Sequence, residues 1–528
     1  MASKIKLVFI INAILLCSCN FVPQQIIKSE SQTSEEDTSQ EISSSSSGEI
    51  TNFPKVNTSI TNYDLGKKST LYYLPETSYK NLNILCIPVI ISDYSTNATQ
   101  KVKDDINTAF FGRSSNDNGW YSLSDYYKAT SYGKINIKGV VSDWYNCGYS
   151  SKDIMDGGDN IYRTILDDSV EWYKQKYGTT CQEFDADSNG LIDGVFLINS
   201  APDYQNDSTL SSDFWAFTSW GSRASSYSSP KGCLYTWASY DFLYDGYENS
   251  LDSHTYVHEF GHMLGLEDYY SYNAKSTGEE YRPLGGTDMM DLNIGDQNAF
   301  SKFSMGLVEP YFINKEGTLE LKSLASSGEC VLIPTKKGWN GTCFDEYILL
   351  ELFSNTGTNA QDYNDGYKKR SSILNPLKGD KCVGIRAYHV DARLVSFSMS
   401  SGSQFQNITY INSLSEVSST RYADKAHTNT PTGYDGSGTR VDSLNYINPS
   451  YRLITLLSSQ GRDFGNSGYY LQNADLFLAN KGISSYNERG IAKQFPEGKQ
   501  SNNGSEFAYT FNVISCSSNS ATIEFKVY

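Results

Sequence analysis

Three of the chain's five histidines lie within nine residues, in the stretch HTYVHEFGHMLGLEDYY (His254–Tyr270). His258 and His262 are four residues apart, so on a helix their imidazoles project from one face, one turn above the other. Two imidazoles in that relation can hold one metal ion at ~2.0–2.1 Å each. Glu259 follows the first histidine. It flanks that face and can reach a water at the metal without ligating it. His254 lies on the same face but ~12 Å from His262 along a helix, too far to share the ion, and is left out of the site. Gly265 can take positive φ and stop the helix, so that the chain folds back towards the histidines. Catalytic zinc sites use three protein ligands. The candidates for the third are Glu267, Asp268, Asp288 and Asp291.

This is the H-E-x-x-H arrangement of zinc peptidases. A longer pattern, H-E-x-x-H-x-x-G-x-x-H followed by a methionine turn, characterises one group of them. Here Asp268 stands where that pattern has its last histidine, and GGTDMMDLNIGDQNAFSKFSMGLVEP (Gly285–Pro310) carries Met289 and Met290 in a glycine-rich turn. On His258, Glu259, His262, Gly265, Asp268 and GGTDMMD the chain resembles the immune inhibitor A-like zinc metallopeptidases, a metzincin-related family. GWYSLSDYYKATSYGKINIKG (Gly119–Gly139) is also similar to that family's catalytic domain. The resemblance covers roughly residues 80–310, and a weaker one continues in GIRAYHVDARL (Gly384–Leu394). It implies hydrolysis of a protein or peptide substrate, Zn2+ held by His258, His262 and Asp268, Glu259 as general base, and Met290 in a turn beneath the metal. The spacing by itself implies only a metal-dependent hydrolase. Two further readings stay open: a surface adhesin with a vestigial metal site, and a hydrolase of non-peptide bonds.

A second acidic constellation lies in FDADSNGLIDG. Asp185, Asp187, Asn189 and Asp193 fall at positions 1, 3, 5 and 9 of a calcium-type loop, Gly190 supplies the sharp turn, and Leu191 can offer its carbonyl. Position 12, where an EF-hand has glutamate, is Phe196. The loop is therefore either a Ca2+ site completed from elsewhere or an Asx-rich turn leading into a buried strand.

The first residues read as an address. Lys4 and Lys6 precede the apolar run LVFIINAILLC, which is too short to span a bilayer. LLCSCN resembles a bacterial lipobox, with Cys19 as the lipidated residue; an ordinary secretory signal is the alternative. SESQTSEEDTSQEISSSSSG (Ser29–Gly48) has nine serines in twenty residues and too little apolar surface to fold, so it reads as a tether. The expected location is extracellular, anchored to the bacterial membrane by lipid alone. A net charge of −17 with no basic patch argues against nucleic acid as a partner. Outside the signal, eight cysteines are scattered without a C-x-x-C pair, which excludes a disulfide-dense scaffold and a zinc ribbon.

Strand-like runs (NILCIPVIIS, KINIKGVVSDW, GVFLIN) alternate with helical ones (SLSDYYKATSYG, DNIYRTILDDSVEWYKQKYG) up to the histidine cluster. DFWAFTSW (Asp213–Trp220) can either line a cleft or join a core. Beyond Pro310 short strand-like runs dominate: ECVLIP, EYILLELF, VGIRAYHV, YRLITLL and ATIEFKVY. The expected organisation is a signal over 1–19, a tether over 20–65, an α/β (α+β) metzincin-like catalytic domain over 66–315, and a β-sandwich-like domain over 316–528. His389 reads as a structural histidine of the second domain, and His427 as part of a polar loop.

Overall fold

The computed structural model describes residues 49–528 except 57–59, 69–73, 75, 114–119, 221–225, 247–249, 272–281, 368–369, 400–404, 419–420, 431–432, 435–439, 442–447, 449, 467–468 and 499–500. The signal with its lipobox Cys19, and the tether up to Gly48, fall outside the described residues.

The first half is an α/β layer structure. Its strands are β1 (Leu82–Ile90), β2 (Ile137–Val141), β3 (Tyr145–Asn146), β4 (Leu191–Ile192), β5 (Val195–Asn199), β6 (Phe217–Trp220), β7 (Lys231–Gly232) and β8 (Leu234–Ser239). The main sheet runs β2-β1-β5-β8-β6, with β3 also beside β1, and β4 and β7 form a separate short pair. Neighbours in the main sheet are parallel except β6, which lies antiparallel to β8 at one edge. Apart from Asn83, β1 is apolar because it is covered on both faces, as parallel strands are. Leu82, Ile84 and Cys86 face one core, and Leu85, Ile87 and Val89 the other.

The helices of this half are α1 (Asn62–Lys68), α2 (Gln100–Phe111), α3 (Leu123–Thr130), α4 (Ser151–Gly157), α5 (Asp159–Tyr177) and α6 (His254–Met263), and α2 to α6 surround the sheet. Ser122 caps α3 by accepting from the Asp125 amide at 3.2 Å. α5 ends at Gly178, whose φ of 65° only glycine adopts at little cost. Its residues Ile161, Ile165, Leu166 and Val170 cover one sheet face. α2, α3 and α6 cover the other through Ile106, Tyr126, Tyr127, Val257 and Phe260. Short helices α7 (Met289–Leu292) and α8 (Ala299–Ser304) follow.

The second half is β-rich: β9 (Tyr311–Phe312), β10 (Gly317–Lys322), β11 (Val331–Pro334), β12 (Glu346–Phe353), β13 (Gly384–Asp391), β14 (Leu394–Met399), β15 (Phe405–Ile411), β16 (Tyr422–Lys425), β17 (Gly433–Tyr434), β18 (Arg440–Val441), β19 (Ile454–Leu457), β20 (Lys481–Ile483), β21 (Tyr509–Cys516) and β22 (Ser520–Val527). A five-stranded sheet, β19-β13-β12-β11-β9, packs against a four-stranded one, β10-β22-β21-β20. Ile348, Leu350, Leu352, Ile385 and Ala387 from the first meet Leu321, Phe511, Ile523 and Phe525 from the second. The intervening residues point the other way, because side chains alternate along a strand. Tyr347, Leu349, Tyr388 and Val390 accordingly join the core of the first half.

The packing bears on two of the expected boundaries. The tether does not extend to residue 65: Phe53 is buried against Phe525 with ring centroids 5.7 Å apart, and Leu65 is buried in the main core. Serine-rich composition ends at Gly48, and the few apolar residues after it are enough to dock the chain. Around residue 315 the packing is mixed: the cluster between the two sheets of the second half draws, Phe53 and Ile313 apart, on residues beyond 315, while another runs across that point from Leu65 to Leu476.

Candidate metal centre

α6 is buried at nearly every position, its histidines and Glu259 included. It ends in a Schellman motif. The Gly265 amide donates to the His262 carbonyl at 2.9 Å and the Leu266 amide to the Gly261 carbonyl at 3.0 Å. Gly265 takes φ 88°, the left-handed region that disfavours side chains. The turn carries Asp268 back towards the helix, so that its Oδ1 lies 3.0 Å from His258 Nε2 and 3.5 Å from His262 Nε2. All three residues are buried.

Main-chain carbonyls orient both rings. His258 Nδ1 faces the Met289 oxygen at 2.8 Å, and His262 Nδ1 faces the Leu266 oxygen at 2.9 Å. A carbonyl only accepts, so each Nδ1 carries the proton and each neutral ring turns an Nε2 lone pair inwards. Two Nε2 lone pairs and a carboxylate oxygen then converge on one another and need a proton or a cation between them. Burial disfavours the charged His262 ring, but the Asp268 carboxylate outweighs it and sets its pKa at about 9. Burial likewise disfavours the Asp268 charge, and the two imidazoles override it, holding the carboxyl well below its ordinary value.

The other candidate ligands are committed elsewhere. Glu267 pairs with Lys425 at 2.9 Å. Asp288 caps α7, accepting from the Met290 amide at 2.7 Å, and Asp291 accepts from the Gly286 amide at 2.6 Å and pairs with Arg282 at 3.2 Å. Met290 lies directly beneath α6: a Cβ placed on Gly261 would sit 2.5 Å from its sulfur. Glu259 is buried on the sheet side of the helix, where the Thr218 hydroxyl of β6 donates to its Oε2 at 2.9 Å. Burial pushes the Glu259 carboxyl up, and the imidazoles of His262 and His258 pull against that.

The second half braces this centre through residues that the sequence did not mark as functional. Glu351 and Arg386 are opposite each other on β12 and β13, on the face turned towards the first half. Glu351 accepts from the Ala299 amide at 2.7 Å, and Arg386 donates to the Thr287 carbonyl at 2.8 Å, in the turn that leads to Met289. A charge within an apolar strand run, as in EYILLELF and VGIRAYHV, was the available signal, because such residues are almost never fully buried unless paired. His254, outside the centre, is stacked between Trp120 and Tyr367, with Nδ1 2.7 Å from Asp252 and Nε2 3.2 Å from Asp362. His389 pairs with Glu346 at 2.8 Å. His427, expected in a polar loop, is fully buried and lies 3.3 Å from Asp391. From DFWAFTSW, Phe214 and Phe217 are core residues.

The acidic loop folds tightly around its own carboxylates. Asp185 accepts from the Asn189 and Gly190 amides, each at 2.9 Å, and Asn189 accepts from the Leu191 amide at 2.8 Å. Oxygens of Asp185, Asp187 and Asp193 lie within 4.8 Å of one another. Asp193 is 1% exposed; its Oδ2 accepts from the Ala186 amide at 2.9 Å, while its Oδ1 has no hydrogen-bond partner. Burial pushes the Asp193 carboxyl up to about 7. No protein-family profile matches the chain, and no curated protein matches it at a significant level.

Proposed function

We propose that the protein is an exported zinc-dependent endopeptidase, as its resemblance to the immune inhibitor A-like metallopeptidases implies. The observation that carries this reading is the convergence of His258, His262 and Asp268 with Glu259 on the adjacent helix position. Two imidazole nitrogens and one carboxylate oxygen suit zinc better than calcium or magnesium, which prefer all-oxygen sites. When bound there, zinc supplies a Lewis acid that lowers the pKa of water to ~7 and polarises a peptide carbonyl. The protein's own groups do the rest. Met289 and Leu266 carbonyls hold the two rings in the ligating tautomer. Glu259 takes the proton of the attacking water and delivers it to the leaving amine.

The acidic loop is proposed as a calcium site made by Asp185, Asp187, Asn189, the Leu191 carbonyl and Asp193. Asp193 Oδ1, buried without a partner, is the group in the loop that a cation would satisfy. Cys19 is proposed to carry the lipid that anchors the chain outside the bacterial cell.

The deciding experiment uses the Glu259→Gln protein. It should keep its zinc and lose ~10²–10⁴-fold in rate on an unfolded protein such as casein. Undiminished cleavage would remove Glu259 from the reaction. A zinc-loaded wild type that cleaves nothing would favour an adhesin with a vestigial site.

A further inference from the structure

We infer that Thr218 is a positioning residue that holds the Glu259 carboxylate in place. The inference rests on the peptidase reading above. Thr218 sits on β6, the antiparallel edge strand beside α6, and is paired in register with Thr236 of β8. Both threonines are buried, and among the described residues Thr218 is the side chain that bonds the Glu259 carboxylate.

The Thr218 oxygen has three polar neighbours. Glu259 Oε2 and the Glu259 main-chain oxygen each lie at 2.9 Å, and the Thr236 hydroxyl at 2.8 Å. A hydroxyl has one proton to give and two lone pairs to offer. Thr218 donates to Oε2 and accepts from Thr236, which fixes the Glu259 carboxylate through that one oxygen. The other oxygen, Oε1, is left to take the proton of the attacking water and to give it to the leaving amine.

The sheet makes this possible. β-branching restricts the χ1 of Thr218, and strand pairing fixes its backbone. A hydroxyl suits the place because a carboxylate buried this deeply requires a hydrogen-bond donor, and the donor's own oxygen is satisfied in turn by Thr236.

Thr218→Val keeps the shape and removes the hydroxyl, and Thr218→Ser keeps the hydroxyl. On casein with zinc-loaded protein, Thr218→Val should lower kcat by ~10–100-fold, as loss of a hydrogen bond to a charged group does. KM should stay within about twofold and zinc stoichiometry unchanged, because the hydroxyl acts on the base and not on substrate binding. Thr218→Ser should recover kcat to within about threefold of wild type, the hydroxyl being what matters. Unchanged kcat in Thr218→Val, or a Ser variant as slow as the Val variant, overturns the proposal. A second readout needs no turnover. In zinc-free protein, Thr218→Val should lower the melting temperature clearly in the wild-type background and by less than half as much in Glu259→Leu, because interacting residues are non-additive. Equal losses in both backgrounds would overturn the pairing. A coupled pair in a zinc-loaded protein that cleaves nothing would instead sink the peptidase reading.

Discussion

His258, His262 and Asp268 are held at their shared point by groups that their own helix does not supply. Their support comes from the Met289 carbonyl, from the left-handed turn at Gly265, and from strands β12 and β13 some ninety residues further on. Asp185, Asp187, Asn189 and Asp193 are drawn together by the nine residues that contain them, with amides of Asn189, Gly190 and Leu191 bonding side chains a few positions back. One centre is assembled by the whole fold and the other by a loop. The difference predicts how each responds to damage. The first should fail when distant residues are cut, and the second only when its own are.

The largest effect expected is at Asp268. Asp268→Ala should abolish zinc binding and reduce activity to background, while Glu267→Ala should keep both, since Glu267 is held by Lys425. Metal analysis of the two purified variants with a casein assay decides it. Zinc retained in Asp268→Ala, or lost in Glu267→Ala, would shift the ligand assignment.

The next effect concerns His254, which ties α6 to Asp362 in the second half. Burial opposes its charge, but Asp362 and Asp252 prevail and raise its pKa to about 9. The folded value lies above the ordinary ~6.5. The stabilisation is therefore complete below about pH 6.5 and is lost as pH rises through about 9, amounting to a few kcal/mol. Melting temperature should fall over that window in the wild type, and the fall should be much smaller in His254→Gln. Parallel curves for the two proteins would exclude the link.

What the sequence disclosed follows the same division. The acidic loop was legible residue by residue because its partners are local. The histidine pair and Glu259 were legible because helical spacing alone puts them on adjoining faces. Thr218, Glu351, Arg386 and Asp362 were not, because sheet register and the packing of one half on the other bring them to α6. The short strand-like runs after Pro310 disclosed strands. Near-continuous runs such as EYILLELF mark a strand buried on both faces, but they could not disclose that the first half is what covers the second face of β12 and β13. The same gap made residue 315 look like a clean boundary.

A smaller effect tests the loop. If its carboxylates hold calcium, adding the ion at 100-fold above its Kd should stabilise the protein by ~2.7 kcal/mol through mass action. Asp187→Ala should abolish that gain and leave zinc content and casein cleavage in excess calcium unaltered. A variant that loses zinc as well would show that the loop is not a self-contained unit.

The smallest effect compares two glycines that do the same conformational work in the two centres. Gly265 has φ 88° and Gly190 has φ 85°. An alanine in the left-handed region costs ~1–2 kcal/mol. Gly265→Ala and Gly190→Ala should therefore lower the melting temperature by similar small amounts. Their ligand effects should differ. Gly265 directs the chain to Leu266, whose carbonyl orients His262, and to Asp268. Disturbing such an orienting group typically weakens metal affinity ~10–100-fold. Chelator competition should thus show weaker zinc binding in Gly265→Ala and wild-type binding in Gly190→Ala, with the calcium-dependent shift in melting temperature affected the other way round. Gly265→Asn should retain much of the affinity that Gly265→Ala loses, since asparagine tolerates positive φ better than alanine. Equal zinc affinities in the two alanine variants would mean that the turn after α6 stops the helix without positioning the ligands.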